Sequence, residues 1–372
     1  MLDPRVKKLA YNLINYSCSV KPGERVLIES TGFELPLSKE LIRETYKAGG
    51  IPFVTIKNDE LKRVLLKDCS EEQMKMLASY ELARMKDMNA YIGMWTIENA
   101  NELCDVPEDK IKLYSEFYRK PVHFEQRLNN TKWVLLRCPT SSAAQAAGMS
   151  TEAFEDFYFD VCNMDYANMS RAMDGLVKLI ERTDKVRVKG KGTDLTFSIK
   201  GMTAIKCDGG INIPDGEVYT APVKNSVNGY ISFNIPSKYQ EGFTYNDIYL
   251  EFKDGRIIKA VSNNIERINK LLDTDDGARY VGEFAFGVNP HIKNPMIDTL
   301  FDEKIMGSIH LTPGSCYKNC DNGNESLIHW DLVLIQTQEF GGGEIWFDNK
   351  LVRKDGIFVH EDLECLNPSK LI

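Results

Sequence analysis

The sequence predicts an α/β N-terminal domain with a parallel sheet, followed by a β-rich α+β C-terminal domain. Short apolar runs alternate with helical patterns over residues 5–138, a long helical pattern follows, and strand-like segments dominate beyond it. Residues 5–19 set Val6, Leu9, Ala10, Leu13 and Ile14 at helical spacing behind Asp3 and Pro4, a helix start signal. RVLIES (25–30) then reads as a buried strand, LPLSKELIRETYKAG (35–49) as a helix closed by glycine, and PFVTIK (52–57) as a second strand. AYIGMW (90–95) and KWVLLRC (132–138) repeat the pattern after further helical stretches, as in a doubly wound parallel sheet. None of these strands leads into GxGxxG or a Walker A sequence, so a nucleotide site has no support. Residues 150–183 carry one helical pattern, opened by Ser150 and Glu152 and long enough to connect two domains. The domain boundary is placed near residue 184, dividing the chain into 1–183 and 184–372. Past it, KVRVKGKGTDLTFSIKG alternates like a hairpin, and INIPDGEVYTAP, GYISFNIPS, DIYLEFKDGRIIKAVS and YVGEFAFGVN read as strands, with Asp254-Gly255-Arg256 as a hairpin turn.

A chain of 372 residues suits two domains, and 43% apolar with 27% charged residues is the balance of a soluble globular protein. The formal charge of −8 repels a phosphate backbone, so no nucleic-acid partner is expected. The nine cysteines are scattered without CxxC pairs, which points to a reducing compartment; Cys316 and Cys320 form a lone CxxxC. MLDPRVKKLAYNL lacks the apolar run of a signal peptide and no window is long enough to cross a bilayer, so the expectation is a cytoplasmic protein that does not enter membranes.

Chemistry concentrates in MGSIHLTPGSCYKNCDNGNESLIHWDL (306–332), which gathers His310, Tyr317, His329 and Asp331. His329 and Asp331 fall in SLIHWDLVLIQT, a strand pattern in which residues two apart share a face while Trp330 turns away. Such a polar pair on an apolar strand is costly unless a metal or a buried histidine–aspartate hydrogen bond satisfies it, and both remain open at this point. Taken singly, His310 reads more readily as a packed core histidine than as a ligand, and Tyr317 as a packed aromatic; their company beside His329 and Asp331 changes that. Upstream, Glu217 follows the Pro214-Asp215-Gly216 turn at the expected start of a strand, and Glu283 sits between Val281, Phe284 and Phe286. Each glutamate alone is compatible with the solvent face of an edge strand; together with the histidines they form a carboxylate and imidazole set suited to zinc, manganese, cobalt or iron.

The segments KGTDLTFSIKG (191–201), DGEVYTAP (215–222), YVGEFAFGVNP (280–290), GSIHLTPGSCY (307–317) and IHWDLV (328–333), with CPTSSAAQAAGMS (138–150) upstream, resemble the M29 metallo-aminopeptidases of the aminopeptidase T type. The resemblance implies that Glu217, Glu283, His310, His329 and Asp331 bind two divalent ions (zinc, cobalt, manganese or magnesium) in the C-terminal domain. It also implies that Tyr317 lies against them and that a homodimer encloses the site and trims short peptides from a free N-terminus. Glu217 or Glu283 would serve as general base and Tyr317 would donate to the oxyanion. The chain departs from the family at Thr312, Pro313, Cys316 and Cys320, where small residues are usual, which bears on loop shape. Two alternatives share parts of the pattern: a mononuclear iron ring-opening dioxygenase of related fold, which also uses a His-x-Asp pair, and a non-catalytic metal-binding dimer. The joint presence of Glu217 and Glu283 favours the dinuclear hydrolase over the dioxygenase, and the intact six-residue set argues against the non-catalytic dimer.

Overall fold

Apolar β-branched strands flanked by helices build the first part of the chain. In the computed structural model, which describes residues 3–32, 34–239 and 243–372, they form an all-parallel sheet. Its strand order is Ile51–Lys57, Arg25–Thr31, Ala90–Trp95, Lys132–Arg137, Asn212–Ile213. Val26, Leu27, Ile28 and Ile92 are fully buried in it, as expected for a sheet covered on its faces. Asp3 caps the first helix, Pro4–Asn12, by accepting from the Arg5 amide, and proline opens it, as the sequence indicates. The fifth strand is a surprise: Asn212–Ile213 comes from far along the sequence, and two residues are too short to show a strand pattern.

The chain divides into Met1–Asn163 with Gly209–Pro214, and Met164–Asp208 with Asp215–Ile372. The break therefore falls between residues 163 and 164 and not near 184. The single helical pattern over 150–183 is in fact two helices, Thr151–Cys162 and Tyr166–Glu181. Asp165 starts the second by accepting from the Asn168 amide at 2.9 Å. That second helix belongs with the second unit because Lys206, on the strand Ile205–Cys207, pairs with its Asp174 at 2.8 Å, and Gly175 packs against the backbone of Asp362.

The second unit is built on two antiparallel sheets. The larger runs Arg256–Val261, Tyr249–Lys253, Asn228–Ser232, Thr193–Ser198, Lys185–Gly190, Gly343–Phe347, Lys350–Lys354, Ile357–Phe358. Its expected Asp254-Gly255 turn is present, with φ of 48° and 84°, the left-handed pair that a tight hairpin requires. The smaller runs Leu332–Ile335, Ser308–Pro313, Val281–Gly287, Glu217–Thr220, Ile205–Cys207. One face of the smaller sheet is aromatic: Phe284 meets Phe197 of the larger sheet at 4.9 Å between ring centres, and Phe286 meets Phe347 at 5.9 Å. Alternation along the same strand turns Glu283 and Ala285 to the opposite face.

Candidate metal centre

Strand register brings the predicted residues to that opposite face. His310 pairs with Ala285 across Ser308–Pro313 and Val281–Gly287, and Glu217 pairs with Gly287 on the other side. Residues 283, 285 and 287 share a face, so Glu283, His310 and Glu217 converge over the methyl of Ala285 and the bare backbone of Gly287. His329 and Asp331 lie just before the strand Leu332–Ile335 rather than within it; His329 forms only an isolated bridge to Gly314. The alternation expected of a strand nevertheless holds. His329 and Asp331 turn to the same side, while Trp330 is buried on the other, its indole N–H donating to Ser237 Oγ at 2.8 Å. Two glycines permit this approach: a Cβ on Gly282 would meet Ser315 O at 2.3 Å, and one on Gly314, at φ 109°, would meet Ile328 O at 2.1 Å.

The donor atoms form two groups that share one residue. Glu217, Glu283 and His310 offer atoms all within 4.8 Å of one another, and so do Glu283, His329 and Asp331. His310 Nε2 lies 3.1 Å from Glu283 Oε1 and 3.5 Å from Glu217 Oε2, and His329 Nε2 lies 3.4 Å from both Glu283 Oε2 and Asp331 Oδ1. Glu283 is thus the hub, with one oxygen toward each imidazole. The first triad is buried, with Glu217 5%, Glu283 3% and His310 1% exposed, while His329 and Asp331 are partly open to solvent.

Burial raises the Glu283 carboxyl above its ordinary range, with His310 pulling the other way and Asp331 and Glu217 adding to the rise. Burial by itself would lower the His310 imidazole, but the Glu283 hydrogen bond and the charges of Glu217, Glu283 and Asp331 overrule it and hold it at about 10. The same contest lifts His329, chiefly through Asp331 and Glu283, and against its burial Asp331 is lowered by His329, His310 and the Thr312 hydroxyl, which donates to it at 2.7 Å. The cluster calls for positive charge, which protons supply when no cation does.

The residues fit a divalent ion. Glu217 Oε2 and Glu283 Oε2 are buried without a hydrogen-bond partner among the described residues, a costly state that a cation would relieve. His329 Nδ1 donates to the Ser315 carbonyl at 2.8 Å, which turns Nε2 toward the carboxylates, where it holds a proton or, deprotonated, offers its lone pair to a metal. No thiol belongs to either triad, so the donor chemistry suits an open catalytic ion better than a closed structural zinc. Cys320 Sγ instead donates to Thr203 O at 3.1 Å, and Cys316 Sγ to Asp321 Oδ1 at 3.3 Å.

Tyr317 stands over the second triad, its ring 4.8 Å from that of His329 and 5.5 Å from that of Tyr219. Although its side chain is about half exposed, crowding around the phenol and the charges of Glu283, Asp331, Glu303 and Glu217 push it above the ordinary range, so it is a donor at neutral pH. Two residues escape a reading of the sequence alone. Glu303 offers an oxygen within 4.8 Å of donor atoms of His310 and Asp331, and Lys304, 1% exposed, reaches Glu217 Oε1 at 2.9 Å. Their signal was an acid–base pair, Glu303-Lys304, directly ahead of the buried run that contains His310. His291 lies in a turn beyond Val281–Gly287 and belongs to none of these clusters.

This donor set fits a metalloenzyme. Residues 2–344 match the thermophilic metalloprotease (M29) family, and the chain belongs to that family of metallopeptidases, which are hydrolases. It is 25% identical to Aminopeptidase 2 of Geobacillus stearothermophilus over 95% of each chain. It is 33% identical to Aminopeptidase T of Thermus thermophilus over 41% of this chain and 43% of that one. The solved structure of wild-type AmpT from Thermus thermophilus shares the fold with a TM-score of 0.80 at 21% identity, covering 97% of this chain and all of that one. A 2,5-dihydroxypyridine dioxygenase from Pseudomonas putida KT2440 also shares it, with a TM-score of 0.62 at 11% identity over 96% and 98% of the two chains. The fold by itself therefore does not choose between hydrolysis and ring opening; the family membership does. No helix among the described residues is long and apolar enough to cross a membrane.

Proposed function

We propose that the chain is a dinuclear metallo-aminopeptidase that releases N-terminal residues from short peptides and works as a homodimer. The observation that carries the dinuclear reading is the pair of donor triads joined at Glu283. Glu217, Glu283 and His310 would hold one divalent ion, and Glu283, His329 and Asp331 the other. When bound, the ions acidify a water molecule and polarise the scissile carbonyl. The protein does the rest. Ser315 O fixes the His329 tautomer, Thr312 orients Asp331, and the sheet holds Glu283 between the two imidazoles. With Glu217 and Glu283 committed to the ions, Glu303, whose oxygen lies near His310 and Asp331, is the carboxylate placed to take the proton of the attacking water, in place of the Glu217 or Glu283 base that the sequence suggests. Tyr317, protonated and beside His329, donates to the oxyanion of the tetrahedral intermediate. Zinc, cobalt, manganese and magnesium all suit a donor set of carboxylate oxygens and imidazoles.

The reading is tested with leucine amide and its N-acetyl derivative, before and after chelation and with each metal restored. Cleavage of the free amine alone, lost on chelation and regained with metal, is expected. Iron-dependent opening of a dihydroxypyridine ring, with no amide cleaved under any metal, would overturn it.

A further inference from the structure

Lys304 follows Glu303 at the end of the short helix Thr299–Asp302 and is buried at the edge of the first triad. Its ammonium donates to Glu217 Oε1 at 2.9 Å and to Glu303 Oε1, and lies 3.8 Å from Asp215 Oδ1. Three carboxylates, Glu217, Glu303 and Asp215, thus surround one buried ammonium. Glu217 Oε1 is therefore taken. Its Oε2, 3.5 Å from His310 Nε2, is the oxygen left for a metal.

A second feature points to the same lysine. Cys207, Asp215 and Glu217 bring donor atoms within 4.8 Å of one another, a further constellation that could attract a cation. Lys304 stands against two of its three members, so the chain supplies a cation of its own there. A carboxylate with both oxygens free can rotate or chelate through both; one tethered by an ammonium has a single oxygen and a single direction.

We propose that Lys304 is a positioning residue of the metal centre: it holds Glu217 by one oxygen so that Glu217 binds its metal through the other alone, and it keeps the Cys207–Asp215–Glu217 cluster closed to a further ion. The proposal rests on the two-metal reading given above. Its direct effect is on the ion shared with His310, because Lys304 hydrogen-bonds Glu217 of the first triad, while the other ion is held by Glu283, His329 and Asp331.

The test is calorimetric titration of the metal-free full chain with Co2+, with the visible spectrum recorded at each addition. The variants are Lys304→Met, Asp215→Asn and the charge-balanced double Asp215→Asn/Lys304→Met; Asn keeps an acceptor for the Gly216 amide, which Asp215 Oδ1 now receives at 3.1 Å. Wild type and Asp215→Asn should each take two ions. Lys304→Met should bind one ion as before and the second about 10- to 100-fold more weakly, with the second spectral increment altered. The double variant should repeat that loss, which keeps the test sharp if the single variant fails to fold. Two ions bound with wild-type affinities and spectrum in either lysine variant, even with lower stability, would reduce Lys304 to a structural counter-charge and overturn the proposal. Fewer than two ions on the wild type would instead overturn the two-metal reading, and the lysine's role with it.

Discussion

Each unit buries a cluster of ionisable groups, and the two are balanced in opposite ways. In the first unit Glu29, on the strand Arg25–Thr31, accepts from the Tyr91 hydroxyl at 2.9 Å through one oxygen and pairs with Lys57 at 2.9 Å through the other. Lys57 also donates to the Tyr118 hydroxyl at 3.2 Å. The carboxylate meets one hydrogen-bonded ammonium, with the Arg84 guanidinium 4.0 Å from the same oxygen, and both oxygens are satisfied. In the second unit Glu217, Glu283, Glu303, Asp331 and Asp215 gather around a single ammonium and two imidazoles, with carboxylate oxygens left unpartnered. Buried charge that closes on itself is architecture, whereas buried negative charge in surplus asks for a cation from outside.

The comparison can be broken most directly at its hub. Glu283→Gln should strip an oxygen anion from both triads, costing metal affinity and at least about 1000-fold in kcat/KM. Metal analysis and amide hydrolysis check this, and two retained ions with near-normal activity would remove Glu283 from the site. Tyr317→Phe should lower kcat by roughly 100-fold, the size of a lost oxyanion donor, with metal content unchanged. Loss of metal in that variant would make Tyr317 a ligand instead. On the balanced side, Lys57→Met should lower the unfolding free energy by about 2 kcal/mol, because Glu29 then loses its hydrogen-bonded cation and keeps only Arg84 at 4.0 Å, yet leave metal content and kcat/KM alone. Urea unfolding and steady-state kinetics of the same preparation separate the two effects.

The smallest effect concerns His123, packed edge-on between Tyr91 and Tyr118 at 6.1 and 5.9 Å and held down at about 4, chiefly by burial. Its folded value lies below the unfolded one near 6.5, so between those values the unfolded chain binds more protons and stability falls as pH drops. His123→Phe should flatten that part of the stability profile, measured as the urea midpoint from pH 7 to pH 4.5. An unchanged slope would show that His123 titrates normally.

Much of this was legible from residue order because the signals were local. Three consecutive apolar residues, Val26 to Ile28, mark a buried strand, and glutamates set among Val281, Phe284 and Phe286 or behind Pro214-Asp215-Gly216 stand out because burying a carboxylate is expensive. The same-side placement of His329 and Asp331 follows from backbone alternation and survives even though the residues precede the strand proper. What was hidden depends on distant partners. Glu303 and Lys304 resemble an ordinary solvated pair until the fold sets them against Glu217, and Asn212–Ile213 becomes a strand only by joining Lys132–Arg137. The helix break near Asp165 was masked by continuous apolar spacing on both sides of a single cap.

Counting the bound ions tests the surplus of buried negative charge most directly. Protein purified without added metal, then saturated with zinc, manganese or cobalt and freed of excess, should carry two divalent ions per chain by mass spectrometry, with amino-acid amide hydrolysis rising as the second ion binds. One ion per chain at full activity, or two ions that persist unchanged in Glu283→Gln, would contradict it.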